Sequence, residues 1–239
     1  MSWDWKVFLQ DNGGGQTYLN WMISAWGWTL LVSGLSLIVA LVVGSLVGIL
    51  RTTPVKAFVW FGNAWTELFR NIPLLVQIFL WYHVIPSLFK PLQQVPDFVA
   101  VVIALGFFTS ARIAEQVRAG IGSLPRGQRF AGMALGLTTP QYYRYVLLPM
   151  AYRIIIPPLT SESMNIFKNS AVAFAVSIPE LTQYALQVGE ETARPIEVYI
   201  AVTILYAASA LIINRIFAVI EKRARVPGFV VAGTGAGGH

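Results

Sequence analysis

The sequence predicts an all-α, polytopic membrane helix bundle of about five transmembrane helices, N-terminus outside and C-terminus inside, with a long cytoplasmic loop. Three observations carry this. Of the 239 residues 56% are hydrophobic and 12% charged, against about 25% charged in soluble domains. Apolar runs long enough to cross a hydrocarbon core of ~30 Å recur along the chain. The basic residues collect in alternate connectors and form no basic face, as positive-inside topology requires. The net charge of +6 therefore reads as membrane orientation and not as a nucleic-acid footprint. With no cysteine and only His83 and His239, disulfides and thiolate metal sites are excluded, and almost no histidine metal site is left.

The elements follow in order. Residues 1–22 read as a periplasmic or interfacial segment: Trp3, Trp5 and Phe8 suit a membrane surface. Asp4, Asp11 and the glycines at 13–15 do not fit a cleaved signal. The membrane domain covers 23–223. Its first span, 23–50, ends at Arg51 and Pro54, and Gly34, Ala40, Gly44 and Gly48 within it suit close helix packing. The second span, 58–85, closes at Pro86. Pro73 lacks a backbone donor and disfavours helix before it, so Arg70-Asn71-Ile72-Pro73 predicts a kink, and the end holding Glu67 and Arg70 reads alternatively as a peripheral helix. The third span covers 96–119. The fourth, 152–178, is interrupted at Pro157-Pro158, and the fifth covers 198–220. Arg51, Lys56, Arg118, Arg126, Arg129, Arg144, Arg153, Lys222, Arg223 and Arg225 fall on one side of these spans. Asp4, Asp11, Asp97, Glu180, Glu190, Glu191 and Glu197 fall on the other. The Gly-rich residues 224–239 read as a disordered tail.

The loop between the third and fourth spans, 121–149, reads as two short helices. Gly136 is placed as a left-handed helix stop. Thr139-Pro140 reads as a start, with threonine as cap and proline at the first helical position. Leu124-Pro125 and Leu148-Pro149 punctuate its ends. From these residues alone, an amphipathic loop resting on the lipid surface is an equal alternative.

Three ordered blocks carry a resemblance. The run Glu115-Gln116-Val117-Arg118-Ala119-Gly120, followed by Ala134-Leu135-Gly136-Leu137 and Leu148-Pro149, resembles the EAA loop of ABC importer permeases, most of all the polar amino acid uptake branch. Glu67-Leu68-Phe69-Arg70-Asn71-Ile72-Pro73 through Gln77 is similar to that branch's second-span signature. Pro157-Pro158-Leu159-Thr160-Ser161-Glu162 with Asn165 and Lys168-Asn169-Ser170 is similar to its fourth-span signature. The resemblance implies that Arg129, Phe130, Ala131, Gly132, Ala134, Leu135, Gly136 and Leu137 form a coupling helix that docks on an ATPase. It departs from the pattern at Phe130, where glutamate is usual, at Gly132, where alanine is usual, and at Val146, where isoleucine is usual. It further implies two ABC ATPase subunits carrying the ATP and Mg, a second permease subunit identical or homologous to this one, and a periplasmic or extracellular amino-acid-binding protein. The chain itself has no Gly-x4-Gly-Lys-Ser/Thr phosphate loop and so no ATPase site of that type.

Ionisable groups within spans mark candidate paths. Glu162, Asn165, Lys168 and Asn169 recur with Ser161 at helical spacing, forming one polar stripe that lipid cannot satisfy. It reads either as a Glu162–Lys168 packing network or as the lining of a substrate path, with carbonyls freed at the proline break. Arg112 has two readings as well: an internal pair with Glu115 at i,i+3, or a guanidinium that grips a substrate carboxylate in bidentate fashion. Arg70 and Asn71 are candidates of the same kind, or anchors of the inner end. The run Thr109-Ser110-Ala111-Arg112 together with the Pro157 block resembles the glutamate/aspartate importer permeases, which implies acidic amino acids as substrate. The rival class is an ion-driven secondary transporter; it usually shows two repeated halves, which this sequence lacks. A membrane hydrolase is disfavoured by the two histidines and the absence of Gly-x-Ser-x-Gly and His-Glu-x-x-His motifs.

Overall fold

The computed structural model describes residues 3–224, apart from the side chains of Arg126 and Arg129. The chain order is α1 (Tyr18–Leu50), α2 (Lys56–Asn71), α3 (Leu74–Phe79), α4 (Ile85–Leu88), α5 (Asp97–Gly122), α6 (Arg126–Ala134), α7 (Thr139–Tyr142), α8 (Leu148–Asn169), α9 (Leu181–Glu191) and α10 (Pro195–Ala224). Residues 225–239, most of the expected tail, lie outside the described residues, and α10 runs on to Ala224.

Among the described residues three helices are long and apolar enough to cross a membrane: α1, α5 and α10. A fourth crossing exists if α2 and the Leu74–Leu88 run count as one span, and these two are bent by 106°. The second span, expected at 58–85, is thus broken where Pro73 was expected to kink it. Gln77, fully buried, holds the break: its Nε2 donates to the carbonyls of Phe69 and Ile72, both at 2.9 Å. These are carbonyls that the end of α2 leaves open. The fourth expected span, 152–178, is corrected in a different way. It is helical as α8, but its polar stripe makes it too polar to qualify by composition, and it packs among α5, α1 and α10.

The first helix begins at Tyr18 and not near residue 23, because the Thr17 side chain caps it by accepting from the Asn20 N–H. The expected interruption at Pro157-Pro158 is absent: α8 runs through both prolines. Each proline deletes one intrahelical bond, yet packing on both flanks keeps the helix together. Both wide π turns, Leu80–Val84 and Tyr143–Leu147, come just before a proline, Pro86 and Pro149. A wide turn moves the carbonyl four residues back away from the proline ring. For this reason Leu148-Pro149 does not end the loop. α7, the π turn and α8 form one continuous helical run from Thr139 to Asn169.

α5 is the central post. Small residues let α1 lie directly against it: a Cβ on Gly44 would sit 2.7 Å from Ile113 Cβ, and one on Gly48 2.6 Å from Val117 Cβ. Gly106 answers from the α5 side, with Val39 Cγ1 at 2.6 Å. Gly120 lets α8 approach in the same way, with Ile155 Cγ2 at 2.5 Å from its notional Cβ. The main core fills the space between α1, α5 and α8.

A second cluster closes the acidic end of the bundle, where Val7 and Phe8 pack with Tyr18, Leu181, Tyr184 and Val198. Phe8 is therefore a core residue and not a membrane anchor, whereas Trp3 and Trp5 stack on each other and stay exposed. The fully buried Glu180 starts α9, a helix the sequence reading did not separate. Its carboxylate accepts from the N–H groups of Thr182 (2.8 Å) and Gln183 (2.9 Å) and from Tyr206 Oη (2.9 Å). Burial pushes this carboxyl above its ordinary value, and those donors pull it only part of the way back.

Candidate functional site

Three neighbouring side chains on α5 and α8 make a partly buried polar junction within the spans. Arg112 and Gln116, one turn apart on α5, both face Glu162 of α8. Arg112 Nη1 stands 3.7 Å from Glu162 Oε2, and Gln116 Nε2 donates to Oε1 at 3.4 Å. Phe108 lies under the guanidinium, its ring centroid 4.8 Å from Arg112 Cζ, an arrangement that favours a cation. Arg112 is 39% exposed, whereas the Glu162 side chain is 11% exposed. Among the described residues, Glu162 Oε2 and Gln116 Oε1 are buried without a donor at strict hydrogen-bond geometry. Asn165 lies one turn along α8 beside the same carboxylate.

This arrangement corrects two sequence expectations. Arg112 does not pair with Glu115, because Glu115 is taken by Arg51, Arg118 and Arg70 while Arg112 reaches across to Glu162. Lys168 does not pair with Glu162: it is exposed, and among the described residues no ion pair joins the two. Six residues along a helix place Lys168 well round the axis from Glu162. Asn169 is half-buried at the end of α8.

Glu115 instead joins three elements. Arg51, just past α1, reaches it at 3.0 Å, Arg118 at 3.2 Å and Arg70 of α2 at 3.6 Å. Arg51 is almost buried and also donates to Asn63 Oδ1 (2.8 Å) and Thr66 Oγ1 (3.2 Å). Arg70 is half-exposed and bonds Glu67 at 2.7 Å. Asn71 Nδ2 donates to the carbonyl of Glu67 at 2.8 Å and to its carboxylate at 2.9 Å. Arg70 and Asn71 thus sit on an exposed polar face at the α2–α3 break, separate from the Arg112–Glu162 junction. Sequence reasoning assigned Arg51 only to topology and Gln116 only to a motif. Its four-residue spacing from Arg112 was the available signal for Gln116, whereas the Arg51 bond spans 64 residues and had none.

The loop is a compact knuckle. Gly136 has φ +76°, and the N–H groups of Gly136 and Leu137 donate to the carbonyls of Met133 (3.0 Å) and Gly132 (3.1 Å). This is the paired C-terminal closure that a left-handed glycine permits. The following helix is capped by Thr138 and not by Thr139: the Thr138 N–H donates to Gln141 Oε1 at 2.9 Å. Phe130, Met133 and Leu135 are exposed, Leu135 at 81%, as are Ala131 and Ala134. Leu137 turns back onto the core. The departure at Gly132 has a packing cause, since a Cβ there would meet Tyr142 Cδ2 at 2.9 Å. The side chain of Arg129 lies outside the described residues. Tyr143 Oη donates to the Thr52 carbonyl at 2.7 Å and so ties the start of the α8 run to the end of α1.

Residues 40–226 match the family described as binding-protein-dependent transport system inner membrane component. The chain is 43% identical over 239 residues to the glutamate/aspartate import permease protein GltJ of Escherichia coli (strain K12), covering 95% of this chain and 97% of that one. It is 36% identical over 195 residues to the probable glutamine ABC transporter permease protein GlnM of Bacillus subtilis (strain 168), covering 82% and 89%. Among solved structures, an amino acid ABC transporter crystallised with histidines aligns at TM-score 0.77 and 30% identity, covering 93% of this chain and 100% of that one. The inward-facing MetNI methionine ABC transporter aligns at TM-score 0.76 and 20% identity over 91% and 100%, a likeness of fold.

Proposed function

The chain belongs to the binding-protein-dependent transport system inner membrane components, the permease subunits of bacterial ABC importers that work with ATPase subunits and a binding protein, and from this we propose that it carries acidic amino acids, glutamate or aspartate, inward by alternating access. In the proposed assembly two ATPase subunits hold the ATP and Mg, a second permease, identical or homologous, completes the path, and the N-terminus faces the binding protein. The membrane domain is 23–223, preceded by the 1–22 segment and followed by the 224–239 tail.

The observation that carries the reading is the knuckle of α6 and its C-cap Leu135, where Phe130, Met133 and Leu135 are all exposed. An apolar surface of this kind suits a protein groove. Phe130 replaces the usual polar contact with an apolar one. Movement of this knuckle has a rigid route inward. The helical run from Thr139 reaches Glu162 without an intervening loop, a distance of roughly 34 Å at 1.5 Å per residue. Tyr143 and Gly120 hold that run against α1 and α5. On this reading, closure of the ATPase pair tilts α8 and changes which side of the membrane Arg112, Glu115, Glu162, Asn165, Lys168, Asn169, Arg70 and Asn71 face. The 43% identity to a glutamate/aspartate permease and the partly exposed guanidinium of Arg112 support the substrate class.

The test is uptake of labelled glutamate, aspartate, glutamine and arginine into proteoliposomes holding the assembled complex, with ATP inside and binding protein outside. Gly136→Asp, which forces a side chain into the left-handed position, is expected to abolish coupled uptake, and Arg112→Ala to abolish acidic uptake. Uptake that ignores ATP and follows an imposed ion gradient would instead establish a secondary transporter.

A further inference from the structure

We propose that Tyr143, Thr52 and Arg51 form a strut that carries movement of the knuckle into α2, so that the contact of Arg70 with Glu115 closes and parts during transport. The inference rests on the reading of the chain as an ATP-driven permease. It gives these three residues a positioning role separate from the docking surface of the knuckle and from the tilt of α8.

The strut begins close to the knuckle. The helical run restarts at Thr139, so Tyr143 stands one turn into it. The contact of Ile155 with Gly120 lies roughly 18 Å further along at 1.5 Å per residue. Movement of the knuckle therefore reaches Tyr143 before it reaches that contact. The Tyr143 hydroxyl donates to the Thr52 carbonyl at 2.7 Å and stands 3.2 Å from Thr52 Oγ1. Thr52 sits in a stiff corner. The N–H groups of Arg51, Thr52 and Thr53 donate to the carbonyls of Val47, Ile49 and Leu50. The hydroxyls of Thr52 and Thr53 donate to the carbonyls of Ile49 and Leu50, both at 2.8 Å. A displacement of Thr52 thus takes Arg51 with it.

Arg51 delivers that displacement to α2. Its stem runs through the space that Gly62 leaves open, where a Cβ would collide with Arg51 Cγ. Its Nε donates to Asn63 at 2.8 Å, its Nη1 to Thr66 at 3.2 Å and its Nη2 to Glu115 of α5 at 3.0 Å. All three nitrogens of this nearly buried guanidinium are committed, so α2 is gripped firmly here. Its far end is loose. Arg70 Nη1 stands 3.6 Å from Glu115 with both side chains partly exposed, beyond the about 2.7–2.9 Å of a closed charge-assisted bond. Just after Arg70 the chain turns through the 106° break. Gly62 and Arg70 are separated by roughly 12 Å of helix, so a tilt of about 10° at the Arg51 end shifts Arg70 by roughly 2 Å. That is enough to close the contact or part it. Glu115 keeps Arg51 and Arg70 keeps Glu67 in either position, so no charge is left without a partner.

The experiment measures uptake and ATP hydrolysis together in proteoliposomes holding the assembled complex, with ATP inside and binding protein outside. Tyr143→Phe removes only the hydroxyl. It is expected to lower uptake per ATP hydrolysed by about fivefold, the scale of one hydrogen bond, while hydrolysis continues and melting stays near wild type. Arg51→Lys keeps the charge without the fork and is expected to lower the same ratio. The double variant is expected to be no worse than the weaker single one, since two changes on one route do not add. Spin labels at Leu68→Cys on α2 and Gly122→Cys on α5 report the spacing of the two helices, nucleotide-free and ATP-trapped. The spacing is expected to change with ATP in the wild-type background and to stay fixed with Tyr143→Phe. A Tyr143→Phe variant that keeps both the ratio and the spacing change overturns the strut, as does one that loses uptake and hydrolysis in proportion. Wild-type uptake that ignores ATP sinks the importer reading and the strut with it, whereas ATP-driven wild type beside an unaffected Tyr143→Phe sinks the strut alone.

Discussion

Alanine at Gly44 and alanine at Gly34 are expected to have opposite effects, although both glycines lie in α1 ten residues apart. At Gly34 a new Cβ meets nothing within 4 Å, so Gly34→Ala gains helix propensity of up to ~1 kcal/mol with no steric penalty. At Gly44 the Cβ would stand 2.7 Å from Ile113 Cβ and 2.8 Å from the Ser110 carbonyl oxygen. Neither atom can rotate away, since one is the branch point of its side chain and the other is backbone. The two helices must therefore separate locally, an overpacking that costs about 1–3 kcal/mol and outweighs the propensity gain. Separation also strains the neighbouring contact at Gly48, where Ala114 O is 2.8 Å from a notional Cβ. The assay is thermal unfolding of the detergent-solubilised permease complex. At roughly 2–4 °C per kcal/mol for a chain of this size, Gly44→Ala is expected to melt several degrees below wild type and Gly34→Ala at or slightly above it. Equal melting of the two variants, or a lower value for Gly34→Ala, would refute the claim that backbone approach at Gly44 and Gly48 sets the α1–α5 spacing.

Two further outcomes follow from the polar contacts. Arg51→Gln is expected to lower stability by about 1.5–3 kcal/mol, because it removes a nearly buried charge-assisted partner of Glu115. Arg70→Gln, at a half-exposed pair, is expected to lower it by less than about 1 kcal/mol. Melting of the two variants in one buffer checks the contrast, and equal losses would show that burial does not rank these pairs. Glu180 provides a pH test. Its folded-state carboxyl titrates above the ordinary 4.5, so from about that pH up to its raised value the folded chain binds more protons than the unfolded one. Its contribution to stability therefore falls as pH rises through that window. A series of melts across mildly acidic pH should show this decline in wild type and a flatter profile in Glu180→Gln; identical slopes would count against it.

The backbone punctuation of the chain was legible in the sequence, and the reasons are local. Gly136 was readable because only a left-handed residue closes that helix, and a glycine three residues before Thr139-Pro140 has few other uses. The break at Pro73 was readable because a missing donor acts within one turn. The exposed face of α6 follows from helical spacing once the knuckle is placed. What failed was partner choice. Arg112 and Glu115 are three residues apart on one helix, and sequence spacing offers that pair first. The Glu162–Lys168 network failed for the same reason, since one polar stripe does not say which of its members meets a neighbouring helix.

Composition, charge asymmetry and local punctuation were enough to determine a helical membrane chain, its ABC importer resemblance and the position of the Gly136 knuckle, because each is written in residues close together along the chain. Tertiary structure alone decided that α8 passes unbroken through Pro157 and Pro158, that Arg51 and not Arg112 holds Glu115, and that Gln116 faces Glu162. Those outcomes depend on which helix faces packing brings together. Glu115 and Arg51 lie 64 residues apart, Gln116 and Glu162 46, and no periodicity within one helix carries information over that separation.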